Sequence, residues 1–165
     1  MRILQLCPKP PRPSLDGGCL AMDAITRGFV SQGHNVKMLV VSTEKHPFKT
    51  AELDYDYVQS TAIEAVSINT ALNLKDALKN LIQGKSYHIE RFYTKSFTNK
   101  LEEILSNSQF DIIFVESLFL SSYAPIIRAH SNAKIILRAH NVEHSIWEGL
   151  ADETPKGLKK WYLYK

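Results

Sequence analysis

An α/β fold built on a Rossmann-like, doubly wound parallel sheet is the class this sequence predicts. Three observations predict it. Short apolar runs recur along the chain, as they do in strands covered on both faces. Segments with helical apolar spacing separate those runs. The first run leads through a glycine pair into a helix and then a second apolar run, the order of a βαβ unit. Five strands alternating with helices predict the strand order 3-2-1-4-5, which puts the switch point of the sheet between strands 1 and 4.

The first strand is residues 2–7, where Ile3, Leu4 and Leu6 follow Arg2 with no further charge. Next comes Pro8-Lys9-Pro10-Pro11-Arg12-Pro13-Ser14-Leu15-Asp16-Gly17-Gly18. Four prolines make this loop stiff and extended. Gly17 and Gly18 let a ligand approach the main chain closely. A helix over about Cys19 to Gln32 follows, with Ala21, Ala24, Ile25, Gly28 and Phe29 as its inner stripe. Gly33 stops it. Val36 to Val41 is the second strand, residues 44–61 are polar and irregular, and Ile63 to Ile68 is the third strand. Helices are expected over Leu72 to Ile82 and over Tyr87 to Leu105. Phe110 to Val115 is the clearest strand of all. In the segment Leu118 to Ala129, Pro125 kinks a helix or marks its true start. Ile135-Ile136-Leu137 is the fifth strand, and a last helix begins near Pro155.

The whole chain reads as one domain over residues 1–165. A net charge of +3 does not supply the concentrated basic face of a nucleic-acid binder. No run reaches the roughly 18 apolar residues of a membrane span. The opening Met1 to Cys7 reads as a strand and not as a signal peptide. A cytoplasmic chain is expected, with Cys7 and Cys19 as a reduced pair.

Ligands of open α/β sheets sit at the C-terminal ends of the strands. Two stretches with chemistry fall there. The Gly17-Gly18 loop is neither a dinucleotide fingerprint nor a P-loop. It still opens a helix whose free N–H groups suit a phosphate or carboxylate, with Lys9 and Arg12 adding charge. The alternative is a tight turn with solvated basic residues. The topology places this loop beside Glu116, with the His140 cluster one strand further on.

The second stretch is Arg138-Ala139-His140-Asn141-Val142-Glu143-His144. His140 to His144 spells H-x-x-E-H, the motif of an inverted zinc protease, which needs both histidines on one helix face. A structural histidine cluster is the plainer alternative. Glu116 ends strand 4 and faces the same crevice. It accepts hydrogen bonds from hydroxyls, caps a helix or pairs with Arg138. Arg138 in turn holds an anionic group or pairs with Glu116 or Glu143. The tail 159–165, Lys-Lys-Trp-Tyr-Leu-Tyr-Lys, has the composition of a membrane-interface segment or of a helix end without its packing partner.

Several of these segments together resemble one family. They are Ile-Leu-Gln-Leu-Cys, the Asp-Gly-Gly before a helix, Gly-His-Asn-Val-Lys-Met-Leu, Val-Glu-Ser, Tyr-Ala-Pro-Ile-Ile-Arg and Leu-Arg-Ala-His-Asn-Val-Glu-His-Ser-Ile-Trp-Glu. The chain resembles the N-terminal domain of retaining glycosyltransferases of the GT-B fold, family 4, in a bacterial branch. The likeness covers both ends and thins between about residues 45 and 85.

The resemblance implies two Rossmann-like domains facing each other across a cleft, with the acceptor received by the N-terminal one. It implies a nucleotide-sugar donor, a sugar or lipid-linked acceptor, and no catalytic metal or other cofactor. By resemblance, His140 is the catalytic histidine near the transferred sugar. By resemblance too, Gly17 and Gly18 approach the donor phosphates or the acceptor, and Glu116, Arg138 and Asn141 line the cleft; Arg12 joins the substrate-binding candidates through the charge it adds at the glycine loop. The donor-binding C-terminal domain and the last strands of the N-terminal domain are missing from these residues. The resemblance therefore implies an incomplete sheet, and a domain that transfers no sugar alone. Peripheral contact with the inner membrane face also follows from it. A zinc hydrolase built on the H-x-x-E-H pair and a non-catalytic α/β binding module are the rival readings.

Overall fold

The computed structural model describes residues 1–70, 86–139, 149–150 and 152–155. Its elements are β1 (Arg2–Cys7), α1 (Gly17–Ser31), β2 (Asn35–Ser42), α2 (Tyr55–Thr61), β3 (Glu64–Ser67), α3 (Tyr87–Glu90), α4 (Lys95–Asn107), β4 (Ile112–Val115), a 3₁₀ turn (Leu118–Tyr123), α5 (Ala124–His130) and β5 (Lys134–Leu137). The strands form one parallel sheet in the order β3-β2-β1-β4-β5. This is the doubly wound, Rossmann-like order that the alternation of strands and helices predicts.

The period-2 alternation of β1 sorts the core into two layers. Leu4 and Leu6 join Leu39, Val41, Ile113 and Val115 on one face, under Phe97 and Leu101 of α4 and Leu120, Tyr123 and Ile127 beyond β4. Cys7 joins Met38 and Val40 on the other face, under Cys19 and Met22 of α1 and Tyr57 of α2. The chain winds outward from β1 to β3 with its helices on one face. It then returns to β4 and β5 with helices on the other, as same-handed crossovers require.

Some elements differ from the sequence expectation, each for a physical reason. The stripe Ala21, Ala24, Ile25, Gly28 and Phe29 does not form the buried face of α1. Cys19, Met22, Asp23 and Thr26 are buried instead, while Ala24 and Gly28 are exposed. Asp23 and Thr26 can be buried because each finds a partner: Arg12 for the first, Gln5 for the second. The expected helix over Tyr87 to Leu105 is two pieces. Between α3 and α4 the turn is tied to the Tyr123 hydroxyl, which donates to Phe92 O at 2.8 Å and accepts from Thr94 N at 3.0 Å. Thr94 then caps α4 by accepting from Phe97 N. Residues 44–61, read as irregular, contain α2, which buries only Tyr57 and Thr61. Pro125 does mark a true helix start, sitting in the first turn of α5.

The expected helices over Leu72 to Ile82 and beyond Pro155 lie outside the described residues. Among the described residues, no helix is long and apolar enough to cross a membrane.

Candidate functional site

The site grows out of the ladder between the strand ends. Leu6 of β1 pairs with Val115 of β4, and Val115 pairs with Leu137 of β5. Each ladder runs one residue further: Glu116 N donates to Leu6 O and Arg138 N to Val115 O, both at 2.9 Å. The backbone therefore sets Glu116 and Arg138 side by side, just past the C-terminal ends of their strands and beside the switch point.

Glu116 is fully buried. A lone carboxylate there would be prohibitively costly, so it needs charge and hydrogen-bond partners. Arg138 Nε donates to Oε2 at 2.7 Å. Arg138 Nη2 lies 2.6 Å from the same oxygen without hydrogen-bond alignment. Gln5 Nε2 donates to the other oxygen, Oε1, at 2.7 Å. Gln5, in the middle of β1, is itself fully buried. Its Oε1 accepts from Thr26 Oγ1 of α1 at 2.8 Å, and that hydroxyl also contacts Met22 O at 2.8 Å. A polar chain thus runs Thr26–Gln5–Glu116–Arg138 from α1 across the end of the sheet.

Cys7, ending β1, sits against the same group. Burial pushes its thiol pKa well up, and the nearby Glu116 carboxylate pushes it further. Cys19 in the first turn of α1 is also close enough to act on it. The start of α1, the end of β1 and the Glu116–Arg138 pair therefore share one corner of the sheet. Cys7 and Cys19 are free and buried thiols.

The proline loop is bound back onto the protein by its own charges. Asp16 caps α1, accepting from Cys19 N at 2.9 Å, and pairs with Lys9. The Lys9 hydrogen bond holds the Asp16 carboxyl well below the usual range, with Cys19 N adding to it. Arg12 Nε donates to Asp23 Oδ1 at 2.7 Å and Nη1 to Asp54 Oδ2 at 3.1 Å. Its guanidinium also stacks 4.0 Å over the Tyr57 ring. Burial tends to lower the Arg12 pKa, but its bond with Asp23 outweighs this and leaves it raised. Arg12 faces α2 and fastens the loop there.

Gly17 and Gly18 open α1. The space where a Gly17 Cβ would stand is open, whereas a Gly18 Cβ would stand 3.2 Å from Asp16 Oδ1 and 3.5 Å from Lys9 Nζ. A side chain at Gly18 would press on the Lys9–Asp16 pair lying over it. Gly17 has no such internal reason.

Of the residues singled out from sequence, Glu116 and Arg138 are brought into contact. Gly17 and Gly18 begin α1, whose Cys19 acts on Cys7, and Arg12 is turned to Asp23, Asp54 and Tyr57. His140 and Asn141 lie outside the described residues, as does the whole H-x-x-E-H segment. Among the described residues, no group of three or more His, Cys, Asp or Glu side chains is arranged to hold a metal ion.

Three members of the site escaped the sequence reading. Gln5 had a signal, being the one polar residue in the run Ile3-Leu4-Gln5-Leu6-Cys7. Thr26 had a weaker one, seven residues after Cys19 and so on its helix face. His46 had none. It follows β2 in a turn closed by His46 N donating to Thr43 O at 3.2 Å, and stands within electrostatic reach of Lys9 and Asp16. Burial lowers its pKa first, and Lys9 and Lys45 lower it further. Next to that turn, a hollow of about 780 Å³ opens between the ends of β2 and β3, lined by Ser42, Thr43, Glu44, Lys45, Asn69 and Thr70.

No family model matches the chain, and no curated protein matches it.

Proposed function

We propose that this chain is the acceptor-binding domain of a retaining glycosyltransferase of the GT-B type, which moves a sugar from a nucleotide-sugar donor to a glycan or lipid-linked acceptor. The observation that carries the reading is the Glu116–Arg138 pair just past the ends of β4 and β5, tied through Gln5 and Thr26 to a helix opened by two glycines. The sequence resemblance over Leu137 to Glu148 supports it.

In this reading the corner between β1, β4 and α1 is one wall of the sugar-transfer cleft. Gly17, with open space over its Cα, lets a substrate pass close to the main chain. Glu116 has its oxygens met by Gln5 and Arg138, so it acts through Arg138 and not as a free acceptor of sugar hydroxyls. His140, two residues after Arg138, is the group proposed to meet the transferred sugar. Stabilisation of the transition state needs preorganised charge on both sides of the reacting centre. On this reading a second domain supplies the donor-side wall in a longer parent protein that holds both, and residues 1–165 alone transfer no sugar. The chemistry is assigned without a metal, and the protein is placed in the cytoplasm. A lipid-linked acceptor would bring it to the inner membrane face, which flotation of the parent protein with liposomes tests directly.

The experiment that tests the function is sugar transfer from a panel of nucleotide sugars, run in parallel with the 165-residue chain and the parent protein. The reading expects turnover by the parent, loss on His140→Ala, and none by the chain alone. Turnover by the isolated chain, or an active His140→Ala parent, overturns it.

A further inference from the structure

We propose that Thr26 and Gln5 are positioning residues that fix the guanidinium of Arg138 so that it binds a phosphate-type oxyanion at this corner. The inference deepens the reading above, because it names the ligand chemistry of the same site.

The Gln5 amide is oriented by the groups at both of its ends. Glu116 Oε1 accepts from Gln5 Nε2, so the Gln5 amide turns its NH₂ toward the carboxyl group and its carbonyl away. That carbonyl then needs a donor, and Thr26 Oγ1 provides it at 2.8 Å, its one proton shared with Met22 O at the same distance. Flipping the amide would set its carbonyl against a carboxylate. Thr26 thus selects the Gln5 orientation, Gln5 holds Glu116 Oε1, and Glu116 Oε2 is left to orient Arg138 through Nε.

Arginine carries five N–H donors in a rigid fork. The Nε and Nη2 edge is turned to Glu116, while the side chain keeps 26% of its surface exposed. With Nη2 buried against Glu116, Nη1 is the amino group of the fork that can face outward. Guanidinium geometry suits phosphate oxygens. A buried ion pair is weak evidence of stability, since apolar residues of the same volume often serve as well. Its use here is to aim the exposed edge of Arg138.

The test is a titration of the full 165-residue chain with inorganic phosphate at constant ionic strength, followed through the Arg138 Nε–H resonance. Thr26→Val keeps the shape of the side chain and removes its donor. Thr26→Ser keeps the donor and removes a buried methyl group. If Thr26 only fills the core, Thr26→Ser is the more damaging change. If it positions Arg138, Thr26→Ser binds phosphate like the wild type, while Thr26→Val weakens binding by roughly fivefold, the effect of one misplaced hydrogen bond. Gln5→Leu is expected to weaken it at least as much. An Arg138 resonance that phosphate leaves unmoved, or a Thr26→Val chain that binds as tightly as the wild type, overturns the proposal. A parallel titration with UDP separates a donor-borne from an acceptor-borne phosphate, by whether the nucleotide binds more tightly than phosphate alone. Sugar transfer plays no part in this readout, so its failure and that of the transferase reading are separately visible.

Discussion

Arg138 Nε donates to Glu116 Oε2 at 2.7 Å, joining the residue after β5 to the residue after β4 around a carboxylate with no solvent exposure. The two residues are 22 positions apart, and only the parallel register of β4 and β5 makes them neighbours. Most of what can be tested about this protein starts from that contact.

Removing one side of the pair should be costly. Arg138→Met strands a buried carboxylate, and is expected to destabilise the fold by about 3 kcal/mol, the low end for a broken buried pair because the arginine is partly exposed. Glu116→Gln keeps an acceptor and removes the charge, so it should cost about 1–2 kcal/mol. Urea midpoints measure both, and the double variant should show coupling of more than about 1 kcal/mol. Additive effects would mean that the contact carries no energy.

The two glycines should respond oppositely to alanine. Gly17→Ala meets no atom within 4 Å at a helical position, and is expected to stabilise by about 0.5 kcal/mol through the unfolded chain. Gly18→Ala pushes on Asp16 and Lys9, and is expected to lose stability. If Gly17 admits a substrate, Gly17→Ala should also lower transfer by the parent protein while raising its Tm. A Gly17→Ala parent with full activity would remove Gly17 from the site.

Arg12 is the fastener of the proline loop. Arg12→Lys keeps the charge but loses the fork between Asp23 and Asp54 and the stacking on Tyr57, so a loss of about 1–2 kcal/mol is expected. Protease cutting within residues 8–16 should quicken in parallel. Unchanged cutting would show that the loop is held by other contacts.

The Lys9–Asp16 contact predicts an acid limb. The folded-state pKa of Asp16 is depressed, so the unfolded chain takes up the proton first as pH falls. The contribution is complete above the unfolded value of about 4 and disappears as pH falls below it. Asp16→Asn should therefore flatten the drop in stability below pH 4 without altering it near pH 7 beyond the loss of the pair itself. An acid limb identical in Asp16→Asn would place its origin in other carboxylates.

The sheet was legible because parallel strands covered on both faces must be apolar along their length. β1, β2 and β4 announce themselves in this way. Pro125 gave the start of α5 for an equally local reason. What could not be read depended on partners distant in sequence. The buried face of α1 includes Thr26 and Asp23, which look like surface residues until Gln5 and Arg12 are in place. The break between α3 and α4 is set by the Tyr123 hydroxyl, 31 positions beyond Phe92. α2 buries too few residues to show a helical period. At the site, the strand-end positions of Glu116 and Arg138 were foreseeable, as was a pairing between them. The support from Gln5 was not, because one glutamine in a strand does not say which neighbour it will face.

The most direct test is the anomeric configuration of the product that the parent protein makes from a nucleotide-sugar donor, read from its anomeric proton by NMR. The account predicts a glycoside with the anomeric configuration of the donor retained, and its loss on His140→Ala. An inverted product, or no glycoside from any nucleotide sugar, would contradict it.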